Sequence, residues 1–325
     1  MQELNKAFLM AMKNSEKKAR TCMFHKCNNI AIKSHVLQKN GILREISTNN
    51  HLIEQCPPNP FELKNKGILD FKLIGINDVY TFMGFCKFHD SEIFKPIEVN
   101  TNLNFNRKIQ QTLFSYRGLC QEIRRKEIAS EWIKEIYDLS PIGLKHQYDV
   151  MLVGYKIGIW SLKYFKNEFE KAIITHDYCN FHFETITIPN IEMCISVPLT
   201  IGELDIPADN SFETWKKKQN RPLTTSFINI FPKGEESIVI VGYHKGFICK
   251  WTMDLLLRLK NGTRNEVFKE LSDLITMRLE FWAMSESLFK KISSDDISLL
   301  KDFFRNNVYN HSPNIKTEIN LFKYL

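Results

Sequence analysis

Several familiar signatures are missing from these 325 residues. There is no Walker-type phosphate loop and no dinucleotide fingerprint, so nothing points to the enzymes that depend on those motifs. No internal repeat recurs and no low-complexity run is present, which excludes a solenoid. No hydrophobic run is long enough to span a bilayer. The most apolar stretch, Val150-Met-Leu-Val-Gly-Tyr-Lys156-Ile-Gly-Ile-Trp160, is short and carries a lysine. Residues 1–20 are charged and amphipathic, without the apolar run and cleavage site of a signal peptide. A disulfide framework is also lacking: Cys56, Cys120, Cys179, Cys194 and Cys249 are scattered over a chain with apolar residues enough for a core. These absences lead to the expectation of a reducing, cytoplasmic setting and no membrane partner.

What is present is ordinary for a folded protein in bulk and unusual in its distribution. Hydrophobic residues make up 43% and charged residues 25%, and the length suffices for a sizeable core. Aromatics are plentiful, with 24 Phe. The net charge of +7 is concentrated at the start. Residues 1–40 hold eight cations (Lys6, Lys13, Lys17, Lys18, Arg20, Lys26, Lys33, Lys39) against Glu3 and Glu16, a net of +6. Such a face suits phosphate groups, so nucleic acid is an expected partner. A solvated helix face gives the same count of charges.

The stretch from Cys22 to Asp90 carries the chemistry. Cys22-Met-Phe-His-Lys-Cys27 and Cys86-Lys-Phe-His89 are two pairs of soft ligands separated by an insert. A zinc ion takes four N/S donors in a tetrahedron, and Cys22, Cys27, Cys86 and His89 supply three thiolates and one imidazole. His25 is a rival, since Cys22-x2-His25 is also a good pair. The alternative is four core fillers. The polar company of Lys26, Asn28, Asn29 and Lys87 argues for ligands instead.

The order Cys…Cys, the apolar Ile30-Ala-Ile32, Ser34-His35, an insert, then Cys86-x2-His89-Asp90 and a helix resembles the zinc-stapled HNH (His-Me finger) nucleases over roughly residues 20–98. That resemblance implies a ββα, treble-clef-like unit. It places a catalytic histidine base on His35 and the metal-holding residue on Asp90, where the family usually has histidine. Ser34 stands where the family often has Asp, and the family's middle asparagine would fall on Asn40 or Asn50. The implied activity is hydrolysis of DNA or RNA phosphodiesters. His35 would take a proton from water, and Mg²⁺ or another divalent ion on Asp90 would stabilise the leaving oxygen. A role in microbial restriction or phage defence follows from the resemblance alone. The competing reading is a non-catalytic zinc knuckle that binds nucleic acid or a protein.

Periodicity organises the rest. Residues 2–19 read as a helix. His35 to Ile46 begins in helical fashion, His51–Cys56 reads as a strand, and Pro57–Pro60 as a stop. Phe71–Phe82 reads as a hairpin turning between Gly75 and Asp78, and the helix after His89 should be interrupted at Pro96. Residues 101–137 and 144–174 predict two long helices that pair as an antiparallel hairpin. Arg124-Arg-Lys126 on the first is a possible phosphate contact or a solvated turn balanced by Glu122 and Glu127. From Tyr178 the period is two, giving strands at 181–188, 193–197, 226–231 and 237–242 in a sheet of about four. His176, Asp177, Cys179 and His182 at its start fit strand alternation better than a second metal cluster. Thr263-Arg-Asn-Glu266 predicts a capping box, Ser293 to Asp296 another helix start, and Leu321, Phe322 and Leu325 a docked tail. The expected class is α+β in three parts: a zinc-binding HNH-like domain at 1–100, a helical-hairpin spacer at 101–177, and an α+β domain at 178–325. The last two could carry a protein partner.

Overall fold

In the computed structural model the described residues are 2–56, 69–98, 103–202, 204–307, 312 and 315–325. The predicted stop at Pro57–Pro60 lies outside them. Two long helices form the spine. Helix α3 (Lys108–Tyr137) and helix α4 (Ile142–Thr175) are antiparallel neighbours separated by the short break at Pro141. The first half of α3 is buried on every side, from Gln110 to Gln121. A helix enclosed in this way must satisfy its polar groups internally. Gln111 donates to the Phe105 carbonyl at 2.8 Å and to Thr185 at 3.0 Å, and Gln110 donates to the Pro96 carbonyl at 3.0 Å. Helix α1 (Gln2–Lys17) packs on the outer half of α3, with Phe8 edge-on to Trp132 at 4.8 Å.

One antiparallel sheet of seven strands carries most of the remaining core. Its strands are β2 (His51–Cys56), β3 (Asp70–Gly75), β5 (Phe181–Pro189), β6 (Met193–Thr200), β7 (Thr225–Lys233), β8 (Glu236–His244) and β9 (Trp282–Met284), in the spatial order β3-β2-β9-β6-β7-β8-β5. Alternation divides the side chains between two cores. Phe227, Phe231, Ile238 and Ile240 face α3 and α4, while Ile228, Ile230, Val239 and Val241 face the other way. That second face is covered by α6 (Lys250–Asn261), α7 (Arg264–Met277) and α9 (Ser294–Asn307), together with Leu321 and Phe322 of the tail. The short helices α5 (Phe212–Gln219) and α8 (Glu286–Lys291) complete the set. The capping box at Thr263 and Glu266 is formed. Strands β6, β7 and β8 are buried on both faces, so apolar side chains occupy both sides of their alternation.

Several expectations differ from the structure. The sheet has seven strands, and two of them come from the first hundred residues. Strand β9 is the bridge: Ile53 of β2 and Met193 of β6 both lie opposite its Met284. The first core also runs without a break from Cys22 to Ala283. The packing therefore does not divide at residue 100 or at 177. The hairpin at 71–82 is not formed. Strand β3 pairs with β2, whereas β4 (Thr81–Met83) pairs with β1 (Lys33–His35), setting Phe82 opposite Ser34. Tyr80, with φ 54°, redirects the chain between the two. Its buried hydroxyl donates to the Ser196 and Phe281 carbonyls at 3.2 and 3.1 Å, which holds this turn against β6. Finally, helix α2 (Lys87–Glu98) continues through Pro96, and the helical signal after His35 is a single π-turn, Lys39–Leu43.

Among the described residues no helix is long and apolar enough to cross a membrane. Helix α3 approaches the sheet closely at Gly118, where a Cβ would lie 2.4 Å from the Ser196 carbonyl oxygen. Alanine favours a helix over glycine by about 1 kcal/mol, but here it must displace backbone. Gly118→Ala is expected to lower unfolding free energy by about 1–3 kcal/mol, the usual cost of overpacking. Urea denaturation measures this, and an unchanged or raised midpoint would show that the contact is not tight.

Candidate metal centre

The site begins with a loop that closes on itself. Thr21 and Ile30 form an antiparallel bridge, the Cys22 N–H donates to the Asn29 carbonyl at 2.8 Å, and the Cys27 N–H donates to the Phe24 carbonyl at 3.1 Å. Lys26 takes a left-handed conformation, φ 55°, to complete the turn. The loop is then tied to the chain just before Cys86. The Met23 N–H donates to the Gly84 carbonyl at 2.9 Å, and the Ile32 N–H to the Phe85 carbonyl at 2.7 Å. Cys86 directly precedes α2, and the Asp90 N–H donates to its carbonyl at 2.9 Å. His89 is three residues on, so the helical turn returns its ring to the same side as the Cys86 sulfur.

These constraints bring Cys22, Cys27, Cys86 and His89 together, with all four donor atoms within 4.8 Å of one another. The His89 Nδ1 is 3.4 Å from both the Cys22 and Cys86 sulfurs, and the Cys27 and Cys86 sulfurs are 3.9 Å apart. The group can hold a metal ion. His25 is not one of the four; its ring is exposed and its main-chain N–H is used elsewhere, donating to Glu170 at 3.1 Å. Burial pushes the Cys22 thiol up to about 11. Burial also raises Cys86, but the His89 N–H and the adjacent thiols outweigh it and hold Cys86 below the ordinary cysteine value. The His89 imidazole is lowered by burial, which keeps its lone pair available. A cation supplies the charge that thiols packed this closely need in order to ionise together.

His35 and Asp90 are placed differently. His35 ends β1, and its Nε2 lies 2.8 Å from the Ile76 carbonyl oxygen. A carbonyl only accepts, so Nε2 carries the proton and Nδ1 holds the lone pair. Burial lowers the His35 pKa, and the charges of Arg117 and Glu98 both act on the ring. Asp90 points away from the thiols toward α3, where Arg117 Nη2 donates to it at 2.9 Å. The same buried guanidinium pairs with Glu98 and stacks on Phe94 at 4.2 Å. Asp90, Phe94 and Glu98 are four residues apart and share one face of α2. Neither His35 nor Asp90 joins the Cys/His group. Among the described residues no second group of three metal-ligating side chains converges, and this includes His176, Asp177, Cys179 and His182.

The chain matches no protein-family model, no curated protein and no solved structure. The site must therefore be interpreted from its own atoms. Sequence reasoning missed Glu98, Arg117 and Glu170, which carry no local motif. It also treated Arg124-Arg-Lys126 as a phosphate contact or a solvated turn. The pairing with Glu122 and Glu127 is present. Arg124, however, is buried and donates to the Met83 and Thr21 carbonyls at 3.0 and 2.9 Å, bracing both sides of the metal centre.

Arg117→Leu is expected to cost about 2–3 kcal/mol. Breaking a fully buried ion pair costs about 3–5 kcal/mol, but Asp90 and Glu98 are 22% and 33% exposed and can rehydrate. Asp90→Asn should cost about 1 kcal/mol, because Arg117 keeps Glu98. Urea curves rank the two, and equal losses would show that Asp90 has another structural duty.

Proposed function

We propose that the centre holds zinc as a structural ion, stapling an HNH-like ββα unit, and that the surface around it binds nucleic acid. The donor set is the first support. Zinc bonds of about 2.3 Å to sulfur and 2.0–2.1 Å to nitrogen give tetrahedral edges of about 3.8 and 3.6 Å. The Cys27–Cys86 sulfurs are 3.9 Å apart and His89 Nδ1 is 3.4 Å from the Cys22 and Cys86 sulfurs, with the remaining pairs within 4.8 Å, so a small contraction would close the tetrahedron. Four protein donors close the tetrahedron, so the ion has no open position for substrate.

The observation that carries the binding role is the composition of the rim. Phe88, between Lys87 and His89, is 65% exposed, and Ile30 is 67% exposed. Lys26, Lys33 and Lys87 are exposed beside them in the chain. Lys33 pairs with Asp78 at the surface, a contact that phosphate can replace at little cost. An exposed aromatic among cations suits unpaired bases, with stacking on the ring and phosphates on the ammonium groups.

A second reading, hydrolysis, is favoured by His35, whose neutral imidazole has a free Nδ1 and a fixed tautomer. Asp90 weakens it, because its carboxylate already balances Arg117, and among the described residues no second group of three metal-ligating side chains converges. Binding without hydrolysis is therefore the leading reading.

Purified protein should contain one zinc per chain, and Cys86→Ser should lose it. A chain without a transition metal overturns the staple. Anisotropy titrations with single-stranded DNA and RNA at two salt concentrations test the rim. Phe88→Ala should weaken binding by about 1–3 kcal/mol. Lys26, Lys33 and Lys87 changed together to Gln should flatten the salt slope by about 2. No binding at low salt, with zinc intact, would sink the nucleic-acid reading. Plasmid cleavage with Mg²⁺ or Mn²⁺ that disappears in His35→Ala would promote the hydrolase reading; cleavage that persists would remove His35 from it.

A further inference from the structure

Glu170 on α4 is a buried carboxylate with an uneven load. Its Oε1 accepts from the Tyr116 hydroxyl at 2.7 Å, from Lys166 Nζ at 2.7 Å and from the His25 main-chain N–H at 3.1 Å. Its Oε2 is buried and has no hydrogen-bond partner. A buried acceptor without a donor is costly, so such an atom calls for an explanation.

The geometry around His89 supplies one. The ring atom that faces the Cys22 and Cys86 sulfurs is Nδ1. A histidine that ligates through Nδ1 must carry its proton on Nε2, on the far side of the ring. The Phe24 ring packs on the His89 ring at 4.6 Å, and the next residue, His25, binds Glu170 through its main chain. The carboxylate is thereby anchored to the same loop that covers His89.

We infer that Glu170 is a positioning residue of the metal centre, the carboxylate that receives the Nε2–H of His89 when His89 ligates the ion. This rests on the structural-zinc reading. A partner of this kind fixes the tautomer and ring orientation of the ligand and strengthens it as a donor. It also wires the ion to α4, so that metal retention and docking of the long helix support each other.

The test uses the full chain loaded with zinc and reads transfer of zinc to a chromophoric chelator. Glu170→Gln keeps an amide oxygen for Tyr116 and His25 but removes the charge. It should speed zinc release by about 10–100-fold, the usual effect of losing an outer partner. Tyr116→Phe removes one donor from Oε1 and leaves Oε2 alone, and should release zinc at the wild-type rate. Equal rates in Glu170→Gln and wild type overturn the inference, as does equal acceleration in both variants, which would mean general loosening. Proton–nitrogen spectra of zinc-loaded wild type give a reading that needs no variant. The His89 Nε2–H should be seen and should exchange slowly. Exchange as fast as that of the exposed His176 ring overturns the assignment. Wild-type protein that takes up no zinc fails at the first step and removes the zinc reading itself.

Discussion

The first hundred residues depend on the convergence of four donors from two separate places in the chain. Cys27 and Cys86 are 59 positions apart, and their sulfurs lie 3.9 Å from each other. Local hydrogen bonds shape each half, through the Cys22–Asn29 loop and the start of α2, but neither half requires the other to be near. The ladder of β1 and β4 is only three residues long. Two such short strands are marginal alone. The Met23–Gly84 and Ile32–Phe85 main-chain hydrogen bonds add to that ladder, and an ion held by all four donors would add a further constraint, because its binding free energy is released only when all four are in place.

The two long helices extend that constraint into the rest of the molecule through buried polar contacts. Arg124 donates to carbonyls on both sides of the metal loop, Arg20 from that loop pairs with Glu131 on α3, and Arg117 pairs with Asp90 and Glu98 on α2. Each of these charges pays a desolvation cost that good pairing only offsets, so their gain in stability is small. What they contribute is orientation, since a guanidinium fork accepts few geometries. The result is that α3 serves as floor for both the metal-binding segment and the seven-stranded sheet. Among the described residues, side chains from the first hundred positions, from α3 and α4 and from the sheet share one apolar core.

Much of this was legible in the sequence where the signal is local. Ligand spacing gave Cys22, Cys27, Cys86 and His89; period two gave β5 through β8; helical stepping gave α3 and α4. The failures share a physical origin. Strand β9 is three residues long and sits between helices, too short for any periodicity to show, yet it joins β2 to β6. The N-terminal half of α3 has Gln, Ser, Thr and Arg around its circumference, residue types that give no local sign of complete burial. Those side chains are buried because partners distant in sequence receive them, as with Asn229 donating to Ser115 at 3.0 Å. Glu98, Arg117 and Glu170 escaped for the same reason: tertiary contacts define them, and a single chain records such contacts only when folded.

The distribution of charge around α2 separates the structural part of the site from any chemistry it performs. Cys86, just before α2, and His89, in its first turn, face the thiols of the Cys22–Cys27 loop. Asp90, Phe94 and Glu98 look toward Arg117 along a second face of the same helix. His35, held by the Ile76 carbonyl, lies within reach of the charges of Arg117 and Glu98. An HNH-like reaction needs a cation where phosphate meets the histidine, and here the resident cation is a guanidinium. Arg117 stabilises the carboxylates without presenting open coordination positions, and it cannot polarise a bound water as a divalent ion does. Its enclosure by α3 makes displacement costly. On the proposed reading, a guanidinium in this place suits recognition of phosphate better than hydrolysis.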